Sequence, residues 1–128
     1  MGLFDKLFPV DNPEETYQQA FEEETKFNDF EKALKLYEKA ANRGLAKAQY
    51  YCGFMYLKGR GTRRNYQKAL YYIQKSANQN YPHGQFLLAQ MYLSGEGVAK
   101  NEQLGNEWLD KFRHHDLPTN FALHFHNF

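Results

Sequence analysis

Four of the five histidines stand near the C-terminal end, as His114-His115 and His124-x-His126, with Asp116 beside the first pair. Imidazoles at such spacings can hold a transition metal, and a carboxylate can complete the set. Against a metal centre, the segment FALHFHNF carries no cysteine and no accompanying acidic helix motif. Its alternation of Phe121, Leu123 and Phe125 with His124 and His126 reads instead as a segment laying its apolar side on the protein. No metal ligand is assigned, and no residue pattern implies a cofactor. Cys52 is the single cysteine, so no internal disulfide can form, which fits a reducing cytosol. Nucleophilic chemistry there would need an exposed thiolate with a positioned base, and no such partner stands out. Cys52 is expected to fill core, and no catalytic residue is assigned. Gly59-Arg60-Gly61 and Gly95-Glu96-Gly97 do not follow a strand, as a dinucleotide-binding fingerprint must. The remaining chemistry is charge. Lys58, Arg60, Arg63, Arg64 and Lys68 surround the first glycine loop, and guanidinium forks suit carboxylate or phosphate partners. An opposite cluster, Glu14, Glu15, Glu22, Glu23 and Glu24, could meet that loop between molecules.

The chain of 128 residues is long enough for one domain with a real core. A hydrophobic content of 42% and an aromatic content of 17% argue against disorder. Sixteen basic and fifteen acidic residues leave a formal charge of +1, so no overall field draws in nucleic acid or a membrane surface. MGLFDKLFPV lacks the apolar core and cleavage site of a signal peptide, and position 6 is Lys where a myristoylation pattern needs Ser or Thr. Leu3, Phe4, Leu7 and Phe8 fall on one helical face without a basic counterpart, so packing onto the first helices is expected rather than a membrane anchor. No apolar run is long enough to cross a bilayer. The expectation is a soluble, cytoplasmic protein.

These residues must be positioned by helices. Asn12-Pro13-Glu14 is a helix start, with a capping side chain, proline at the first turn and acid near the positive end. Helices are predicted from Pro13 to Lys26, Phe30 to Asn42, Ala46 to Lys58, Tyr66 to Asn78, Pro82 to Ser94 and Glu102 to His114. Phe27-Asn28-Asp29 makes the first turn, Gly44 suits a left-handed cap, and Asn65 and Asn101 stand in matching capping positions. Residues 30–65 laid on 66–101, an offset of 36, give thirteen identities. They are Lys32/Lys68, Ala33/Ala69, Leu34/Leu70, Lys39/Lys75, Ala41/Ala77, Asn42/Asn78, Gln49/Gln85, Met55/Met91, Tyr56/Tyr92, Leu57/Leu93, Gly59/Gly95, Gly61/Gly97 and Asn65/Asn101. A fixed period of this length marks a helical solenoid.

The run from Gly44 to Thr62, GLAKAQYYCGFMYLKGRGT, resembles the Sel-one-like repeat family, a relative of tetratricopeptide repeats. Ala46, Ala48, Gln49, Gly53, Tyr56, Gly59 and Gly61 match its pattern, with Cys52 for the usual leucine and Thr62 for valine. In the next copy Gln85, Leu88, Tyr92, Gly95, Gly97 and Val98 match, while Pro82, Gly84 and Ala89 stand for two alanines and the glycine. Ala69, Tyr72 and Trp108 occupy small and aromatic positions of the second helices, and Gly105 replaces an alanine. The resemblance implies an all-α, right-handed α-α superhelix of about three antiparallel helix pairs. Its expected organisation is a lead-in over 1–12, a degenerate pair over 13–43, repeats over 44–79 and 80–115, and a C-terminal capping tail over 116–128.

In tetratricopeptide domains the first helix of each pair lines a concave groove. Carried onto this chain, that groove would be lined by Tyr17, Phe21, Tyr50, Phe54, Phe86 and Gln90, with Lys47 and His83 one turn earlier. Aromatics there are not required by stacking and suit a protein or peptide partner. Arg60, Arg63 and Arg64 form a second candidate contact. The resemblance thus implies a non-enzymatic protein-interaction module, either an immunity protein neutralising a cognate toxin or an adaptor. The alternatives are a hydrolase of the β-lactam-binding type described for cysteine-rich relatives, whose paired cysteines are absent here, and a nucleic-acid-binding accessory protein resting on the arginine loop alone.

Overall fold

The computed structural model describes Leu3 and residues 12–116. Six helices run through the latter stretch: α1 (Pro13–Thr25), α2 (Phe30–Asn42), α3 (Ala46–Lys58), α4 (Tyr66–Asn78), α5 (Pro82–Ser94) and α6 (Glu102–Arg113). The first and last stop one residue short of expectation; the four between have the predicted bounds. The lead-in and the tail lie outside the described residues except for Leu3, Asn12 and Asp116, and so do His124 and His126.

The caps explain the boundaries. Asn12 accepts from the Glu14 N–H at 3.0 Å and Pro13 opens α1. Every second helix then starts on a side-chain cap: Asp29 accepts from Lys32 N–H, Asn65 from Lys68 N–H and Asn101 from Leu104 N–H, each at 3.0 Å. Asp29, expected only as a turn residue, is thus the α2 counterpart of the two asparagines. By contrast α3 and α5 follow the preceding helix through one left-handed residue, Gly44 (φ +96°) and its repeat equivalent Asn80 (φ 63°). Asparagine is among the few residues with a β-carbon that visit that region readily.

Consecutive helices pack as antiparallel neighbours, and α3 also packs directly on α5. The molecule is an all-α solenoid in two layers, with α1, α3 and α5 in one and α2, α4 and α6 in the other. Its core is one continuous cluster in which Tyr37, Tyr50, Met55, Leu57, Ile73, Leu88 and Met91 are the largest fully buried side chains. Cys52 is fully buried, as expected, and burial pushes its thiol well above the usual range. Gln49 and Gln85, identical in the two copies, are buried amides with partners. Gln49 donates to the Ala41 carbonyl at 3.2 Å and accepts from Gln79 at 2.9 Å, and Gln85 donates to Asn80 at 2.9 Å.

The helix pairs cross where a β-carbon is missing. A Cβ on Gly53 would lie 2.5 Å from Ile73 Cγ1 and 3.1 Å from the Ala69 carbonyl of α4. In the next pair the glycine has changed sides. Ala89 faces Gly105, whose added Cβ would meet Leu93 Cγ at 2.7 Å and the Ala89 carbonyl at 3.2 Å. The loop glycines join successive units in the same way, since Gly61 abuts the Phe30 carbonyl and Gly97 the ring of Tyr66, the first residue of the second helix before it.

Two outcomes follow. Gly53→Ala is expected to lose about 1–3 kcal/mol in urea unfolding by overpacking a stiff isoleucine. Ile73→Ala, which removes the Cγ1 that the new methyl meets, should cost less in the Gly53→Ala background than alone, a favourable coupling of about 1 kcal/mol; strictly additive losses would contradict the clash. Cys52 should react with a thiol reagent only on the unfolding timescale in native buffer.

Candidate functional site

The face of α1, α3 and α5 turned away from α2, α4 and α6 carries the residues expected to line a groove, but they are not equally presented. Phe21 is 40% exposed, stacked on Tyr17 at 6.4 Å between ring centroids. Phe54 and Phe86 are half-buried; the first stacks on Tyr50 at 6.3 Å, and the second meets Phe112 of α6 edge-on at 4.9 Å. Gln90 is exposed at the rim of a recess of about 220 Å³, together with Lys58, Leu87, Met91, Ser94 and Glu96. Lys47 is engaged at 2.8 Å by Glu14, with its ammonium 4.5 Å from the Tyr17 ring centroid.

Tyr50 corrects the expectation of an open aromatic row, for it is 1% exposed and belongs to the core. Its ring touches Tyr51, Tyr81 and His83 at 5.1, 6.0 and 5.4 Å, so residues at the start of the next unit fold over it. The cause is position. The central helix α3 is flanked on both sides and buries eight of its thirteen residues, whereas α1 buries three. Tyr17 is likewise closed in, between Tyr37 at 5.7 Å and Tyr51 at 5.9 Å. What forms is a ladder of rings, Phe21–Tyr17–Tyr51–Tyr50–Tyr81–His83, running across three units with its exposed end at Phe21. The sequence reading missed Tyr51 and Tyr81; the only available signal was that Tyr81 precedes the helix-opening Pro82.

The arginine loop is also less open than its sequence suggests. Arg60 reaches Glu24 at 3.4 Å and lies 5.1 Å from the Phe30 ring centroid. The acidic first helix and the basic loop therefore meet within one molecule. Lys58 pairs with Glu96 of the next glycine loop at 3.2 Å. Arg64 donates to the Tyr66 hydroxyl at 3.2 Å and sits over its ring, while Arg63 is exposed. His114 lies on the Asp110 carbonyl, and His115 meets Gln85 at 2.8 Å; among the described residues no cluster of metal-ligating side chains forms.

Polar stitches sit deeper, between the layers. Glu24 accepts from the Tyr37 hydroxyl at 2.7 Å. Glu38 accepts from Tyr56 of α3 at 3.1 Å and from Tyr72 of α4 at 2.9 Å, joining three helices through one carboxylate. Burial first, then these carboxylates, push the phenols of Tyr37, Tyr56 and Tyr72 far upward; burial does the same for Tyr17, Tyr50 and, up to about 12, Tyr81.

The Sel1 repeat family model matches residues 24–45, 46–81 and 82–112, more than half of the chain. The chain belongs to the Sel1 repeat family. It is similar to a Sel1 repeat protein from Oxalobacter formigenes, at 32% identity and a TM-score of 0.69 over 77% of this chain and 29% of that one. It is also similar to c5321, a protective antigen of uropathogenic Escherichia coli strains with an SLR fold, at 26% identity and a TM-score of 0.77 over 79% and 22%. The chain thus spans less than a third of either relative. Comparison with curated proteins gives no significant match. Sel1 repeats generally mediate protein–protein interaction and are typically non-enzymatic scaffolds. Among the described residues no helix is long and apolar enough to cross a membrane.

The ladder gives a pH prediction. Because the folded-state phenols titrate above their unfolded value near 10, folding keeps protons that the unfolded chain releases. That stability is complete below pH 10 and is lost as pH rises towards the folded values. The unfolding free energy from urea titration should therefore hold through neutral pH and fall beyond about pH 10, by roughly 1.4 kcal/mol per pH unit for each such phenol. Absorbance at 295 nm should show these tyrosines ionising together with unfolding; their separate ionisation in a folded chain would contradict the burial.

Proposed function

We propose that this protein is a non-enzymatic recognition module of the cytosol that engages a protein or peptide on the face of α1, α3 and α5. The observation that carries the reading is the exposed Phe21 at the end of the ring ladder, with Phe54 half-buried across the same face. Helix stacking does not require an aromatic at either place, and aromatics backed by a rigid ring stack lose little side-chain entropy on binding. Gln90, His83 and Phe86 supply the polar and apolar rim, and Arg63 with Arg64 a charged edge. Tyr17 and Tyr50 serve as the support beneath. Within this reading the module acts either as an immunity protein that neutralises a cognate toxin by covering it, or as an adaptor.

The test uses a photo-crosslinking residue at Phe21 or Phe54, with Gln103 on α6 as the control position. One partner captured at both first-helix positions and not at Gln103 is the expected result. Equal capture at all three, or none, would reject this face. Phe21→Ala with Phe54→Ala should weaken that partner at least about tenfold while the helical signal persists. Co-expression then separates the roles: relief of the partner's toxicity identifies an immunity protein, and no toxicity to relieve identifies an adaptor.

A further inference from the structure

The identities between the two copies are mostly buried, capping or turn residues, and three pairs are neither. Lys32/Lys68 and Lys39/Lys75 are exposed in both copies, on the second helices. Asn42 and Asn78 are exposed too, but each is hydrogen-bonded, Asn42 to the Tyr72 hydroxyl oxygen and Asn78 as acceptor from Gln74. On α4 the cations belong to a stripe, Lys68, Tyr71, Lys75, at the 3-4 spacing that keeps side chains on one side of a helix. Alongside runs α2, held to α4 by Tyr72 on Glu38 and Asn42, with Lys35 and Lys39 in register with Tyr71 and Lys75.

Helix α4 contains no carboxylate. The oxygens of Glu38 are taken by Tyr56 and Tyr72. On α1, Glu14 is engaged by Lys47, Glu22 by Lys26, Glu23 by Lys32 and Glu24 by Arg60. Glu31, exposed on α2 one turn before Lys35, is the one acid beside the stripe, and Lys68 leans on the Tyr56 ring. In the middle of the basic stripe Tyr71 is 54% exposed, with the Lys75 ammonium 4.9 Å from its ring centroid.

We infer that the α2–α4 outer face is a docking surface for an acidic segment of another protein. The segment's carboxylates lie against Lys35, Lys68 and Lys75, and an apolar side chain covers Tyr71. Complementary charge of this kind chiefly sets encounter rate and register, and the exposed aromatic supplies desolvated area. A long polyanion fits poorly. On α6 the row of Lys35 and Tyr71 continues as Glu107, flanked by Asp110 and Lys111, so the run of positive charge breaks into mixed charge within one helix spacing. The surface lies on the layer opposite the ring ladder and stands or falls independently of it.

The probe is a fluorescein-labelled peptide of about 14 residues, glutamates with a leucine at every fourth position, followed by anisotropy at low salt. Binding is expected to weaken at least about fivefold for Lys75→Glu and for Lys35→Glu, and to fall with added salt. Tyr71→Ala should weaken it about threefold without changing the salt slope. Lys26→Glu, an equal change of charge on α1's end, should leave it within about twofold. Both single charge reversals are on exposed helix positions, so circular dichroism should be unchanged; if one fails to fold, the other carries the test. Absence of binding, equal weakening by Lys26→Glu, or tighter binding of oligothymidylate of the same length would overturn the inference.

Discussion

The structure depends on one missing β-carbon at each helix crossing in the two full repeats. Gly53 lets α3 lie on the backbone of α4 at Ala69 and Ile73, and Gly105 lets α6 lie on the backbone of α5 at Ala89. Such close approach is bought by glycine at a cost in helix propensity of about 1 kcal/mol, so it persists only where packing returns more. The requirement is a property of the crossing and can be met from either helix. Residue-by-residue identity between the copies therefore understates their likeness: Gly53/Ala89 and Ala69/Gly105 are two mismatches, yet each pair keeps one glycine at its crossing. Between units the same device recurs, since Gly84 leaves room for Ser76, whose hydroxyl donates to the Ala46 carbonyl at 2.8 Å.

Close packing makes the polar groups between the layers consequential. A hydrogen bond adds only about 1 kcal/mol net, while a buried group left unmatched costs about 1–3 kcal/mol, so satisfaction matters more than number. Gln49 and Ser76 meet backbone carbonyls and Gln85 the Asn80 side-chain amide. Glu38 collects two phenols from different helices and fixes how α2, α3 and α4 lie together. Tyrosine suits this role because its ring contributes to the apolar stack while its hydroxyl reaches the polar seam.

Much of this was legible in the sequence because its signals are local. Caps, prolines and left-handed residues fix helix ends from a few neighbours, which is why α2, α3, α4 and α5 have the predicted bounds. The period of 36 supplied the solenoid. What stayed hidden depends on neighbours far along the chain. The reading placed Tyr50 and Phe54 on one open face by spacing within α3, but spacing cannot tell that Tyr81 and His83 close over the first and leave the second partly exposed. Likewise Glu24 and Arg60, 36 positions apart, looked like halves of an intermolecular contact and are instead joined within the chain.

Position along the solenoid then decides which surfaces are left for recognition. A helix flanked on both sides, as α3 is, spends most of its aromatics on its neighbours, while α1, the first helix of the described stretch, keeps Phe21 exposed at 40%. The solved relatives are several times longer than the matched region, and in a longer stack a further unit placed before α1 would enclose Phe21 much as the unit after α3 encloses Tyr50. The second helices escape this rule: their outward residues face away from both neighbours at every position in the stack. Charge placed there, as at Lys35, Lys68 and Lys75, remains exposed however many units follow, and it can be altered without disturbing the crossings that hold the layers together.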